Sequence, residues 1–379
     1  MSHPKPLTNQ PPSRLGGLDF IRGIAALHVV YNHIGGKFQV LLPSLRQQQW
    51  LDVKFSVSVF FLISGFVVMM IADRKVRQPS PANLAAFIKD RLLRLYPTYI
   101  VAFLMMVAMV VGAKLTGVQL DREFRWETLP AEAMMILAWD HTLVWNAPSW
   151  SVNVLSWVLV IVFPVMFLIL RQCRNRFTQL ALIVGLLAVY AEIHSHNEWT
   201  ALYYASRVLF PFAIGMTLFT FWRTLRTPSP WLVNTLVIAG VLAYYSNPMG
   251  WNVGLSGYTL KLLTLSILVA FVTAAAFPNS LFSKLGRIQP FKMLGQLSFC
   301  IYLSHVIIQR ALAVLIPAEP FVHSSRLVRL SLVVAHLIII LLGAAAFHFW
   351  VERPFERRRK GRPKEAQTQA GKAPEPALR

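Results

Sequence analysis

Acidic side chains are scarce in this chain: its 379 residues hold 16 Asp and Glu against 37 Lys and Arg, a net charge of +21. Charge of either sign is also thin, at 14% of residues; an ordinary soluble domain carries about 25%. So little polar surface cannot cover a core, which argues against a water-soluble globule. Cysteine is nearly missing. Cys173 and Cys300 are expected in a loop and in an apolar segment respectively, which disfavours a disulfide, and they form no metal motif. No internal repeat is visible. No cleavable leader is expected either, because the first apolar stretch, 18–34, carries Arg22 and lacks an exit with small residues. The basic excess lies in short clusters between apolar runs and in the tail. It does not mark one domain face, so nucleic acid is not the expected partner.

Apolar side chains fill the chain instead, at 55%. The runs 55–72, 152–170, 260–277 and 327–350 approach or exceed the ~20 residues that cross a bilayer core. The sequence predicts an all-α polytopic membrane protein with ten spans: 18–36, 53–72, 96–115, 152–171, 178–194, 202–221, 231–246, 257–277, 293–315 and 327–351. With both termini cytoplasmic, the inside segments hold 25 of the 37 Lys and Arg, and every inside segment is basic. That alternation is the positive-inside pattern. Residues 1–17 form a cytoplasmic lead-in and 18–355 the membrane domain. The basic segment 356–379 is expected to be a disordered tail near anionic lipids. The loop 116–151 is the longest outside one, and its apolar piece 129–139 is expected to lie as a short helix over the outer face.

Several polar residues sit where a lipid-embedded chain tolerates them poorly. Arg22 and His33 are eleven residues apart, which at 100° per residue is about 20° past three turns. They share a helix face, about 16 Å apart along the axis, with Asp19 near the same face and His28 about 140° from His33. Ser64 and Gly65 in the second span allow close helix packing or a ligand passing the bare backbone. Residues 83–96 read as an amphipathic surface helix in which Arg91 and Arg94 share a face. Pro97 is expected to open the third span. Two guanidinium groups at the surface suit either lipid headgroups or a polyphosphate such as coenzyme A. Trp150 fits an interfacial belt, and the hydroxyls of Ser149 and Ser151 beside it could bind a sugar. Arg207, Tyr302, His305 and Glu352 are further polar positions in or beside spans six, nine and ten.

Taken in order, these motifs resemble the membrane acyltransferase type 3 family. The resemblance covers about 18–355. It rests on Leu18-Asp19, Arg22-Gly23, Ala25 and His33, then on Phe60-Phe61-Leu62-Ile63-Ser64-Gly65-Phe66. Arg91-Leu92-Leu93-Arg94-Leu95-Tyr96-Pro97, Trp150-Ser151, Arg207 with Gly215, Ser298 to His305 and Glu352-Arg353-Pro354-Phe355 follow. Each piece is weak alone; seven in this order are specific. The resemblance implies transfer of an acyl group, commonly acetyl, from cytoplasmic acyl-coenzyme A to a hydroxyl of a cell-surface or lipid-linked glycan. It implies a multi-pass protein of a bacterial inner membrane, among membrane lipids, with no metal. On that reading His33 is the general base and Arg22 organises the donor or the developing charge. Arg91 and Arg94 hold phosphates, Ser64 and Gly65 line the donor path, and Trp150, Ser151, Arg207, Tyr302, His305 and Glu352 support the acceptor side. One position departs: the family's usual Trp-Ser-Leu-x-x-Glu has Leu155 where the glutamate stands. Asp19, or Asp140-His141 in the outer loop, could supply an acid instead. A transporter or flippase of lipid-linked sugars is the competing expectation, though it explains the arginine pair less well.

Overall fold

A computed structural model describes residues 15–38, 53–120, 124–137, 144–195, 201–245, 257–315, 321 and 323–360. Among the described residues there is no strand, as expected for an all-α chain. The helices are α1 (Gly16–Phe38), α2 (Val53–Lys75), α3 (Pro81–Thr116), the short α4 (Leu129–Ala133) and α5 (Ser149–Gln172). They continue with α6 (Arg176–Ser195), α7 (Ala201–Trp222), α8 (Pro230–Tyr245) and α9 (Gly257–Ala275). The series ends with the short α10 (Leu281–Leu285), α11 (Gln289–Leu315) and α12, which starts at Arg326 and runs to Lys360.

All ten predicted spans fall on helices. Seven of these helices, α2, α3, α5, α6, α7, α11 and α12, are long and apolar enough to cross a bilayer. Over their described residues α1, α8 and α9 do not meet that standard. The burial pattern is that of a protein solvated by lipid. Leu104, Val165, Val184, Leu242 and Leu342 face outward, each more than half exposed. Ser56, Thr98, Asn153, Ser298 and His305 are buried. Polar groups face inward because hydrocarbon offers them no hydrogen bonds.

Two glycine contacts set the close packing. A Cβ on Gly65 would lie 1.9 Å from the Phe212 carbonyl oxygen, and one on Gly215 would lie 2.0 Å from that of Leu62. So α2 and α7 touch backbone to backbone. Gly295 of α11 meets α1 in the same way, with a Cβ there 2.5 Å from the Asp19 carbonyl oxygen.

Three elements differ from expectation. Pro97 does not open a new helix but lies inside α3, a continuous helix of 36 residues. Ser80 caps its start, accepting from the Asn83 N–H at 3.2 Å, and Pro81 takes the first-turn position where a missing N–H is harmless. Second, α5 and α12 each contain a π-turn, Val158–Val162 and His348–Glu352. Pro164 follows the first; lacking an N–H it cannot extend the regular ladder. Third, the chain does not leave helical structure at Glu356. Arg359 donates to an Asp90 carboxylate oxygen at 2.6 Å and Arg94 pairs with Glu356 at 3.3 Å, tying 353–360 to α3. The apolar piece of the long loop does form a short helix, over Leu129–Ala133.

Candidate active site

A cavity of about 840 Å³ opens among α1, α2, α3, α5, α11 and α12. Along α2 its wall runs from Val57 to Ile71, fourteen steps and thus about 21 Å. The end where α1 begins and α12 finishes is here termed basal, and the opposite end apical. The basal part of the wall carries Arg22, Arg91, Arg94, Arg353 and Arg359, with Asp19, Glu352 and Glu356 among them. The apical part carries Ser151 and Tyr302, whose hydroxyls are 2.8 Å apart.

The charges at the basal mouth are organised by helix faces. Arg91 and Arg94 do share the cavity side of α3. Arg91 is buried, donates to Asp90 at 2.6 Å and lies over the Phe87 ring, 5.4 Å from its centroid. Asp90 also meets Lys75 at 3.7 Å. The mouth thus has more cations than anions, in a setting where charge-assisted hydrogen bonds to phosphate are strong.

Arg22 lines the cavity, but His33, three turns further along α1, does not. His33 packs against His305 instead, edge to face, with ring centroids 5.0 Å apart. His305 in turn lies 6.1 Å from the Tyr302 ring. The three rings form a chain leading from the apical end of the cavity to the exposed His33. His33 Nδ1 bonds the Val29 carbonyl at 2.8 Å and His305 Nδ1 the Ile301 carbonyl at 3.1 Å. A carbonyl only accepts, so each ring donates through Nδ1, and in the neutral ring Nε2 keeps its lone pair. The Nε2 of His305 is buried and has no hydrogen-bond partner among the described residues. His28 points elsewhere, to Ser56 Oγ at 2.7 Å and the Asn32 amide at 2.9 Å.

The other expected site residues divide. Ser64 and Glu352 are on the cavity wall. Leu155 is there too, so the position expected to hold an acid faces the cavity and not lipid. Gly65 is not on the wall; the Phe212 backbone fills the space beside its Cα, so packing and not ligand passage explains it. Trp150 and Arg207 form their own contact away from the wall, the guanidinium 5.1 Å from the indole centroid. Asp140-His141 lies outside the described residues.

A family model described as an acyltransferase domain matches residues 15–349. The chain belongs to that family. It is a multi-pass membrane acyltransferase. Among relatives, the exopolysaccharide production protein ExoZ of Rhizobium meliloti (strain 1021) is 27% identical over 317 residues, 81% of this chain and 90% of that protein. Acyltransferase MdmB of Streptomyces mycarofaciens is 28% identical over 171 residues, 43% of this chain and 42% of its own. Protein 2 in the picA locus of Rhizobium radiobacter is 32% identical over 111 residues, 29% of this chain and 53% of its own. No solved structure matches.

Sequence reasoning missed the apical brace of this acyltransferase. Glu132 is fully buried and accepts from the Trp145 N–H at 2.6 Å and from Ser149 Oγ at 2.7 Å. Its backbone carbonyl accepts from Tyr99 at 2.6 Å, and Asn153 donates to the Tyr99 hydroxyl at 3.0 Å. Ser149 is therefore engaged with Glu132. In the sequence Glu132 was one of several mixed charges in a loop; its signal was a lone acid inside the apolar run 129–139.

Proposed function

We propose that this acyltransferase moves an acyl group, acetyl in the simplest case, from acyl-coenzyme A to a hydroxyl of a cell-surface or lipid-linked glycan. The observation that carries this reading is a cavity with an arginine-rich basal mouth and a hydroxyl pair at its apical end. A donor with several phosphates and a long arm suits that polarity. Arg91 and Arg94 have the charge and fork geometry for the phosphates. The arm extends past Ser64 toward Tyr302, and Arg22, at the basal mouth, helps organise the donor. The acceptor approaches from the apical end. Its hydroxyl oxygen attacks the thioester carbonyl at the apical end, its proton passes to Nε2 of His33, which lies outside the cavity wall beyond the His305 ring, and the carbon–sulfur bond breaks to release the coenzyme thiolate. The name of the relative ExoZ, an exopolysaccharide production protein, supports a glycan acceptor. The basic inside segments favour a cytoplasmic basal end, and the family resemblance implies a bacterial inner membrane.

The test has two arms. Purified protein should bind acyl-coenzyme A, and Arg91→Ala with Arg94→Ala should weaken binding by about 1–3 kcal/mol per lost charge-assisted contact. Lysine at both positions should restore only part. Mass spectrometry of surface glycans from cells with and without the protein should show an acyl group that depends on it. A folded double-alanine variant that binds the donor like wild type would assign these arginines to lipid headgroups.

A further inference from the structure

A second cluster lies beside the basal half of the cavity. Cys300 of α11, and His348 and Glu352 of the π-turn in α12, bring one sulfur, one nitrogen and one oxygen within 4.8 Å of one another. His348 Nδ1 is 2.7 Å from Glu352 Oε2, and Cys300 Sγ is 3.2 Å from the same oxygen. We propose that these three side chains form a binding site for a zinc-class divalent ion. The proposal is independent of the acyl-transfer reading.

Three observations support it. The first is the choice of partners. Glu352 is buried in a cavity with five arginines on its wall, yet its hydrogen bonds go to a thiol and an imidazole. Thiolate, imidazole and carboxylate together are a zinc donor set, whereas magnesium and calcium take oxygen. The second is charge. A thiolate and a carboxylate neutralise a divalent ion, so the filled site carries no net charge of its own. The third is access. His348 and Glu352 both line the cavity, which leaves room for a fourth ligand and gives the ion a path.

Geometry permits the exchange of protons for metal. Zinc bonds of 2.0–2.3 Å place tetrahedral ligand atoms about 3.3–3.6 Å apart, so the three side chains need adjustments of about an ångström. The backbone already cooperates. The Arg353 N–H reaches back to the His348 carbonyl across five residues, and the four-residue spacing brings His348 and Glu352 together. π-turns of this kind are frequent at functional sites.

Cobalt(II) is the probe, because it reports its own ligands by absorption. Full-length protein in detergent, purified without a histidine tag, stripped of metal and kept reduced, is titrated with Co²⁺. The expected result is saturation at one ion per chain, with a sulfur-to-cobalt charge-transfer band and strong tetrahedral visible bands, both bleached by Zn²⁺. Cys300→Ser should remove the charge-transfer band, and Cys173→Ser should leave it. His348→Ala should weaken binding by more than the 10–100-fold typical of losing an outer-shell partner. Affinity should fall as pH falls, because the thiol must lose its proton. Folded wild-type protein that shows no charge-transfer band overturns the proposal, whatever the variants do. A band that survives Cys300→Ser overturns it too. Either result would leave the cluster as a hydrogen-bonded triad.

Discussion

His33 and His305 illustrate how a single residue's role depends on neighbours from another helix. Eleven-residue spacing placed His33 on the face of Arg22, but only the fold supplies the second ring, 5.0 Å away. His33→Gln keeps polarity and approximate size but cannot take up a proton. Glycan acylation should fall by about 10²–10⁴, the usual loss when a general base is removed. Acyl-coenzyme A binding should persist, since the arginines sit at the other end of the cavity. Near wild-type acylation by this variant would make His33 structural and pass the base to His305, whose Nε2 is buried and available. His28→Ala is the control; it loses the bond to Ser56, worth about 1 kcal/mol, and should retain most activity. The site residues on α1, α2, α3, α5 and α11 were legible in the sequence because each sits in a short motif. The Cys300–His348–Glu352 cluster was not, because its members are up to 52 residues apart and meet only when α11 packs on α12.

At the scale of elements, hydropathy was enough to find every long helix, since each must hide its backbone polar groups within itself. It could not find the π-turns, which shift the helical period over five residues and leave mean hydropathy unchanged. Nor could it tell which face of α5 meets the cavity. The structure puts Leu155 on that wall, and this sharpens a test. Leu155→Glu introduces a carboxylate into a space lined by Arg22 and Arg91, not into lipid. It should express near wild-type level and change the rate or acceptor choice in a glycan-acylation assay. Expression reduced in line with an insertion penalty of about 2–3 kcal/mol would place position 155 against hydrocarbon instead. The α2–α7 contact gives the opposite expectation. Gly65→Ala drives a methyl group into the Phe212 carbonyl, and overpacking of this kind typically destabilises by about 1–3 kcal/mol. Thermal melting in detergent should fall accordingly, and an unchanged melting temperature would mean that the helices separate at little cost.

For the whole molecule, the alternation of basic segments predicts ten crossings with both termini inside. Seven helices meet the length and hydropathy of a span on their own; the remaining crossings rest on the charge pattern. A reporter active only in the cytoplasm should work when fused after residue 379 and fail when inserted at residue 250. Activity at 250, or none at 379, would overturn the map. The contacts of α2 with α7 at Gly65 and Gly215 also bear on how substrates come and go. At these points α2 and α7 touch through bare backbone, and beside them Phe66 packs on Phe219 and Trp222, so the two helices are expected to move as one stiff unit. The cavity has α2 as one wall, and α7 backs that wall. A gate that admits a donor or releases a product is then expected at the basal mouth, where α3 and α12 are joined by Arg359–Asp90 and Arg94–Glu356. Those are charge pairs that a phosphate or a rise in salt can loosen.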